Sequence, residues 1–296
     1  MNLVFGWGEF FSISCALGWA FAVILFRKSG ETLPAFELNL IKNTIGVALM
    51  LPTAILLGGA LPDYGLNGWF LVVGSGVLGI AVADYWYLRA LNLLGAGRTG
   101  ISASLYAPFV ILLSMVFLGE SLGAYQWLGF VFVLGGILLV SWHKHQTEVT
   151  AQDLKKGVAF AVGAVFMMAL GVIMVKEILE TEDFYWTVYW RLAAGLGGLL
   201  IFTSLRRGWP KVLKNIRKPQ PWLLIAGGSF LGSYLSMMLW LAGYKLTDAT
   251  TAAMLNETAG AFIVVLAWWF LKEPLSKQKL MGLCFTAIGV LFVLNG

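Results

Sequence analysis

Charge is what this chain has least of. Of its 296 residues only 12% are Asp, Glu, Lys or Arg, where a soluble domain carries roughly 25%. With 59% hydrophobic residues and a mean hydropathy of +0.82, too little polar surface exists to coat a water-facing globule. Cysteine is nearly absent: Cys15 and Cys284 both sit in apolar runs and read as small packed residues, which excludes a disulfide scaffold. Histidine is as scarce. His143 and His145 share one polar link without Cys or acidic partners at ligand spacing, which argues against a metal centre and against a His-based catalytic triad. No polar stretch is long enough for a soluble domain, and no Walker A sequence is present, so ATP does not drive the protein directly. The net charge of +5 does not indicate nucleic acid, because membrane proteins gather Lys and Arg in cytoplasmic loops.

What is present is apolar sequence in lengths that suit a bilayer. A span needs about 20 mostly apolar residues. Ten segments qualify: Gly8–Phe26, Pro34–Leu57, Leu66–Leu88, Thr99–Leu118, Ala124–Trp142, Gly157–Val175, Phe184–Leu205, Pro221–Tyr244, Thr250–Leu271 and Leu280–Leu294. The first lacks a basic leader and a small-residue cleavage pattern, and Arg27-Lys28 follow it, so it reads as a span and not a signal peptide. Gly is frequent, at 35 residues, which suits helices whose backbones approach closely.

The basic residues orient the spans. Sixteen of the 20 Lys and Arg fall in links after helices 1, 3, 5, 7 and 9, and only Lys176 and Lys245 fall on the other side. The positive-inside rule therefore predicts both termini on the periplasmic or extracellular side of the inner membrane.

The two halves are related. At an offset of 153 residues, Glu120, Leu122, Gly129, Phe132, Gly136, Leu138 and Val140 match Glu273, Leu275, Gly282, Phe285, Gly289, Leu291 and Val293. Near an offset of 149, Lys42 aligns with Arg191 and Gly46 with Gly195. Five helices is an odd number, so the second half enters from the opposite face. The predicted fold class is an all-α membrane protein with ten transmembrane helices in two inverted five-helix repeats, residues 1–142 and 157–296, joined by a cytoplasmic linker at 143–156. This is an architecture of secondary transporters.

The ten helices, the five-plus-five repeat, and apolar helices ending in Leu118-Gly119-Glu120 and Leu271-Lys272-Glu273 before a Gly-punctuated helix resemble the drug/metabolite transporter superfamily, and within it the EamA-like transporters. The resemblance covers essentially the whole chain. It implies a central cavity lined by both halves, alternating access, and export of amino acids or related small metabolites. The family commonly carries a basic residue, often Arg, in the second helix of each half, here Lys42 and Arg191. It also favours Pro in the fourth helix of each half; Pro108 fits, and Ala261 departs from the pattern.

Ionisable groups at membrane depth are functional candidates. Glu257, in Met254-Leu-Asn-Glu-Thr258, lies roughly 10 Å into its span at ~1.5 Å per residue. It reads either as a site for a substrate ammonium or a proton, or as a structural partner of Lys42 or Arg191. Asn256 beside it offers an amide to a polar substrate; the glycosylation sequon it shares with Thr258 is inside a span. Asp84 is a gate or proton site, or an interfacial charge partnered by Arg89 or Arg98. Lys42 and Arg191 lie at mirrored depths, where each can hold a substrate carboxylate or neutralise Glu257 or Asp84. Trp19, Tyr106 and Trp240 are deep aromatics that either line a cavity or pack helices. Glu120 and Glu273 read as structural, each supplying a carboxylate to free amides at the start of the next helix. Gly95-Ala-Gly-Arg-Thr-Gly100 spells a dinucleotide fingerprint, but no strand precedes it.

The expected function is a secondary active or facilitative transporter exporting small metabolites, without enzymatic activity or a cofactor, in contact with the bilayer and with protons as one candidate coupling ion. Monomer and homodimer both fit. The alternatives are a lipid or lipid-carrier flippase, a membrane enzyme on lipid-linked substrates, and a non-transporting membrane subunit.

Overall fold

The computed structural model describes residues 6–30, 32–94, 102, 104–141, 150–271 and 276–295. Glu273, the Gly95–Gly100 segment, Arg98, His143 and His145 lie outside them. Every regular element among the described residues is a helix. Seven are long and apolar enough to cross a membrane: Trp7–Phe26, Phe36–Leu57, Gly65–Tyr87, Ala151–Thr181, Phe184–Arg206, Trp222–Leu246 and Ala249–Phe270. Two shorter apolar helices are Tyr106–Phe117 and Ala124–Leu139, and a 17-residue helix, Lys277–Val293, is the last element among the described residues.

In chain order, α1 is Trp7–Ser29 and α2 is Ala35–Leu57. Helix α3 (Gly65–Gly76) continues through a π turn, Val77–Val82, into α4 (Ala83–Leu94). Then come α5 (Tyr106–Phe117), α6 (Ala124–Ser141), α7 (Ala151–Thr181) and α8 (Phe184–Phe202), with a second π turn at Thr203–Arg207. The short α9 (Trp209–Ile216) precedes α10 (Trp222–Ser229), which runs through a third π turn, Phe230–Ser236, into α11 (Met237–Leu246). Helices α12 (Ala249–Asn256), α13 (Ala259–Leu271) and α14 (Lys277–Val293) follow.

Side chains face outward where lipid is the solvent: Leu66 is 91% and Leu223 86% exposed, which water would not tolerate over so wide an apolar surface. The core gathers around α7, where Ala169, Val172, Val175 and Leu179 meet Val72 of α3, Val110 of α5, Val188 and Leu192 of α8 and Leu241 of α11. Helices α6 and α14 pack chiefly on each other through small residues: a Cβ on Gly289 would lie 2.6 Å from the Val133 amide nitrogen. In lipid no hydrophobic effect drives helices together, so such close approach supplies dispersion contacts instead. Cys15 is buried; Cys284 is exposed on α14 rather than packed inside.

Four elements differ from the sequence-based expectation. The span expected at Thr250–Leu271 is two helices with a break at Glu257–Thr258. There the Thr258 hydroxyl donates to Leu255 O (2.6 Å) and Gly260 N turns to Glu257 O (3.1 Å), so local bonds compete with the helical ladder. Within the span expected at Thr99–Leu118, a turn at Ser104–Leu105 precedes the helix Tyr106–Phe117; Pro108 in the first turn of that helix lacks an N–H that a helix start leaves free anyway. Helix α7 begins at Ala151, inside the segment read as a linker, because Thr150 Oγ1 accepts from Asp153 N (3.1 Å) and caps it. The link between the seventh and eighth spans contains α9, which periodicity over eight residues is too short to announce.

Candidate functional site

The break between α12 and α13 places Glu257 at the end of α12, where its backbone N–H still bonds Ala253 O (3.2 Å). Its Oε1 accepts the N–H of Ala107 (3.3 Å), in the first turn of α5. A carboxylate there meets unsatisfied amides and the positive end of the helix dipole. No described cation forms an ion pair with Glu257; Lys42 and Arg191, the expected structural partners, are both engaged elsewhere. Next to it, both polar atoms of the Asn256 side chain are shielded from solvent and have no hydrogen-bond partner. Each such group costs about 1–3 kcal/mol unless something binds it.

From Glu257 a line of aromatic side chains leads to Arg191. Tyr106 opens α5, and its hydroxyl lies 2.7 Å from that of Tyr244, which is fully buried on α11. The Tyr244 ring meets the edge of Trp240 with centroids 5.4 Å apart. The Arg191 guanidinium stands 5.1 Å over the Trp240 ring. Arg191 is 1% exposed; its Nε donates to Ser75 Oγ (2.8 Å) and an Nη reaches Met237 Sδ (3.5 Å). Ser75 in turn donates to Gly171 O. The π turn after α3 makes room for the guanidinium, since a Cβ on Gly79 would sit 2.9 Å from Nη2. Among the described residues no carboxylate forms a salt bridge with Arg191. A buried cation held by neutral acceptors and a ring face is incompletely compensated.

Lys42 Nζ lies 3.7 Å from Asp84 Oδ2, joining α2 to α4 with both side chains about one-fifth exposed (19% and 23%). Asp84 therefore pairs with Lys42 and not with Arg89, which instead donates to Tyr85 Oη (3.1 Å). Trp19 does not join the aromatic line: it is 38% exposed on α1 and packs over Gly232. Glu120 accepts from Ala249 N (2.7 Å) and Thr250 N (2.9 Å), the first amides of α12 rather than those of the next helix. The start of α6 already has its own acceptor, because Gly123 N bonds Gln126 Oε1 (2.9 Å).

Sequence reasoning passed over Tyr244, Ser75 and the polar side of α2. Glu37 is fully buried and accepts from Asn215 Nδ2 (3.0 Å); Asn43 bonds both oxygens of Asn39 at 2.9 Å. Glu37, Asn39 and Asn43 are polar residues within one apolar run, a signal available in the sequence. Tyr244 read as the last residue of a span, where an aromatic needs no special reason.

Helices of bilayer length and an apolar exterior define a multi-pass membrane protein. The chain belongs to the EamA-like transporter family, whose model matches residues 6–142 and again 155–295. It is similar to an uncharacterised transporter of Archaeoglobus fulgidus (23% identity, 96% of each chain) and to the pseudopaline exporter CntI of Pseudomonas aeruginosa (29% identity, 87% of this chain and 85% of that one). A shorter stretch resembles a mouse UDP-N-acetylglucosamine transporter, 31% identical over 33% of this chain and 32% of the other. A solved crystal structure shares the fold with a TM-score of 0.78 at 16% identity, covering 96% of this chain and 95% of that one.

Proposed function

We propose that the protein is a secondary active or facilitative exporter of small metabolites, amino acids or related compounds, working by alternating access between two inverted five-helix halves, 1–142 and 157–296. The observation that carries this reading is that Glu257 and Arg191 stand at the two ends of the line Tyr106–Tyr244–Trp240, each without a salt-bridge partner among the described residues. A solute with an ammonium and a carboxylate supplies both missing charges. Asn256 contributes two hydrogen bonds to its polar part, and the aromatic rings pack on its apolar part. The Lys42–Asp84 pair acts as a gate between α2 and α4, broken and remade as the halves rock. Trp19 lines the approach.

The two stretches of family match support the repeat, as do the interruptions at Ser104–Leu105 and Glu257–Thr258, which are 153 residues apart, the offset of the α6 and α14 sequences. Broken helices near the midplane are where transporters of this kind bind solute. The ten-span count and the basic links argue for both termini on the outer side of the inner membrane.

Glu257→Gln keeps the shape and removes the charge. In proteoliposomes it is expected to abolish uptake driven by a proton gradient while sparing solute exchange. Unchanged gradient-driven transport removes the assignment. The solute is found by thermal-shift screening of purified protein against amino acids, nucleosides and drugs, since a ligand that binds only the folded state raises its apparent stability.

A further inference from the structure

Helix α9 has three distinct sides. Its inner side is built into the protein: Val212 is fully buried beside Phe36, Leu40 and Leu199, and Asn215 donates to Glu37. Its ends are tied down. Trp209 Nε1 donates to Ser204 Oγ (3.0 Å) in the π turn after α8, and Gln220 Nε2 donates to Asn215 O (3.2 Å) while its Oε1 accepts from Thr32 Oγ1 (2.8 Å). The turn into the helix is set by Gly208 at φ 78°, a left-handed conformation that favours glycine. The helix is therefore fixed between the end of one span and the start of the next.

The other two sides are open. Trp209 and Leu213, one turn apart, are 37% and 41% exposed and form an apolar edge. At 100° per residue, Lys211 and Lys214 share the side beyond that edge, and Arg217 and Lys218 follow in the turn that ends the helix. All four cations are exposed, and none is in a salt bridge with a described residue. Four like charges within eight residues repel one another unless an anion sits among them. An apolar edge at acyl-chain level beside a basic side at headgroup level is the pattern of an interfacial helix that attracts anionic lipid.

We propose that α9 is a binding surface for anionic phospholipid, with the diacyl part against Trp209 and Leu213 and the phosphate among Lys211, Lys214 and Arg217. A bilayer lipid is the occupant because a soluble phosphate would leave the apolar edge uncovered. Through Asn215 and Glu37 this surface is joined to α2, the helix that carries Lys42.

The test titrates the full-length protein, purified in neutral detergent, with phosphatidylglycerol and in parallel with phosphatidylcholine, and counts retained lipid by native mass spectrometry. Phosphatidylglycerol is expected to bind with at least tenfold preference, and the combined K211Q, K214Q and R217Q variant to lose that preference. Neutralising Lys155, Lys156 and Lys277 instead, also exposed, is expected to leave it within twofold. Leu213→Ser is expected to weaken phosphatidylglycerol severalfold without changing the binding of soluble glycerol phosphate. Equal retention of both lipids, an unaffected triple variant, an equal loss in the control variant, or glycerol phosphate binding as tightly as the lipid would each overturn the proposal.

Discussion

The hydroxyls of Tyr106 and Tyr244 lie 2.7 Å apart, joining the first turn of α5 to the buried end of α11 across 138 residues of sequence. Each ring is packed, so removing one hydroxyl strands the other in a dry setting. Tyr106→Phe and Tyr244→Phe should each lower stability by about 1 kcal/mol. The double variant should cost little more than either single one, because both delete the same bond. Thermal unfolding of the three variants in detergent checks this; additive losses would show that the hydroxyls act separately.

Glu120 supplies both of its oxygens to the start of α12. Charge-assisted bonds to free helical amides are the stronger kind of cap. Glu120→Ala should cost about 1–2 kcal/mol and should speed hydrogen exchange at Ala249 and Thr250 more than anywhere in α6. Unaltered protection at those two amides would sink this account of the residue.

Arg191 combines a charge-assisted bond to Ser75 with stacking over Trp240. Lysine keeps the charge but has neither the planar fork nor the stacking face. The two interactions together are worth about 2–3 kcal/mol. Arg191→Lys is therefore expected to weaken solute binding by about 30-fold to 150-fold. Binding is read by isothermal titration once the solute is known, and wild-type affinity in the lysine variant would contradict the role.

Asp248 lies in the turn between α11 and α12, outside the spans. Partial burial, then the nearby Glu120, push its carboxyl above the ordinary range, while Lys176 opposes them. A carboxyl that holds its proton more tightly when folded contributes stability at low pH. That contribution is lost as pH rises from the ordinary carboxylate range through the raised value. Asp248→Asn should therefore raise the unfolding temperature at neutral pH and flatten its dependence between pH 4 and neutrality. A variant less stable than wild type at pH 7 would reverse the sign.

Much was legible in the sequence. Apolar run length announced the helices, because a bilayer core about 30 Å thick demands them. Rarity announced Glu257, Asp84, Lys42 and Arg191: where charge is so expensive, each charged residue stands out. The break at Glu257–Thr258 was hidden, although Asn256, Glu257 and Thr258 all carry side chains able to bond the local backbone. Whether they interrupt a helix depends on what their polar groups find nearby, and for Glu257 that is an amide on α5.

The sequence by itself determined that this is a membrane protein made of helices, because composition and hydrophobic length are properties of the chain alone. The tertiary structure decided who partners whom. Lys42 meets Asp84, Glu120 serves α12 rather than α6, and Glu257 and Arg191 remain apart at the two ends of an aromatic line. Those relationships span some 40 to 150 residues of sequence. No periodicity encodes them, because an ion or hydrogen-bond partner is chosen by distance in the packed bundle, where a few ångströms outweigh any spacing along the chain.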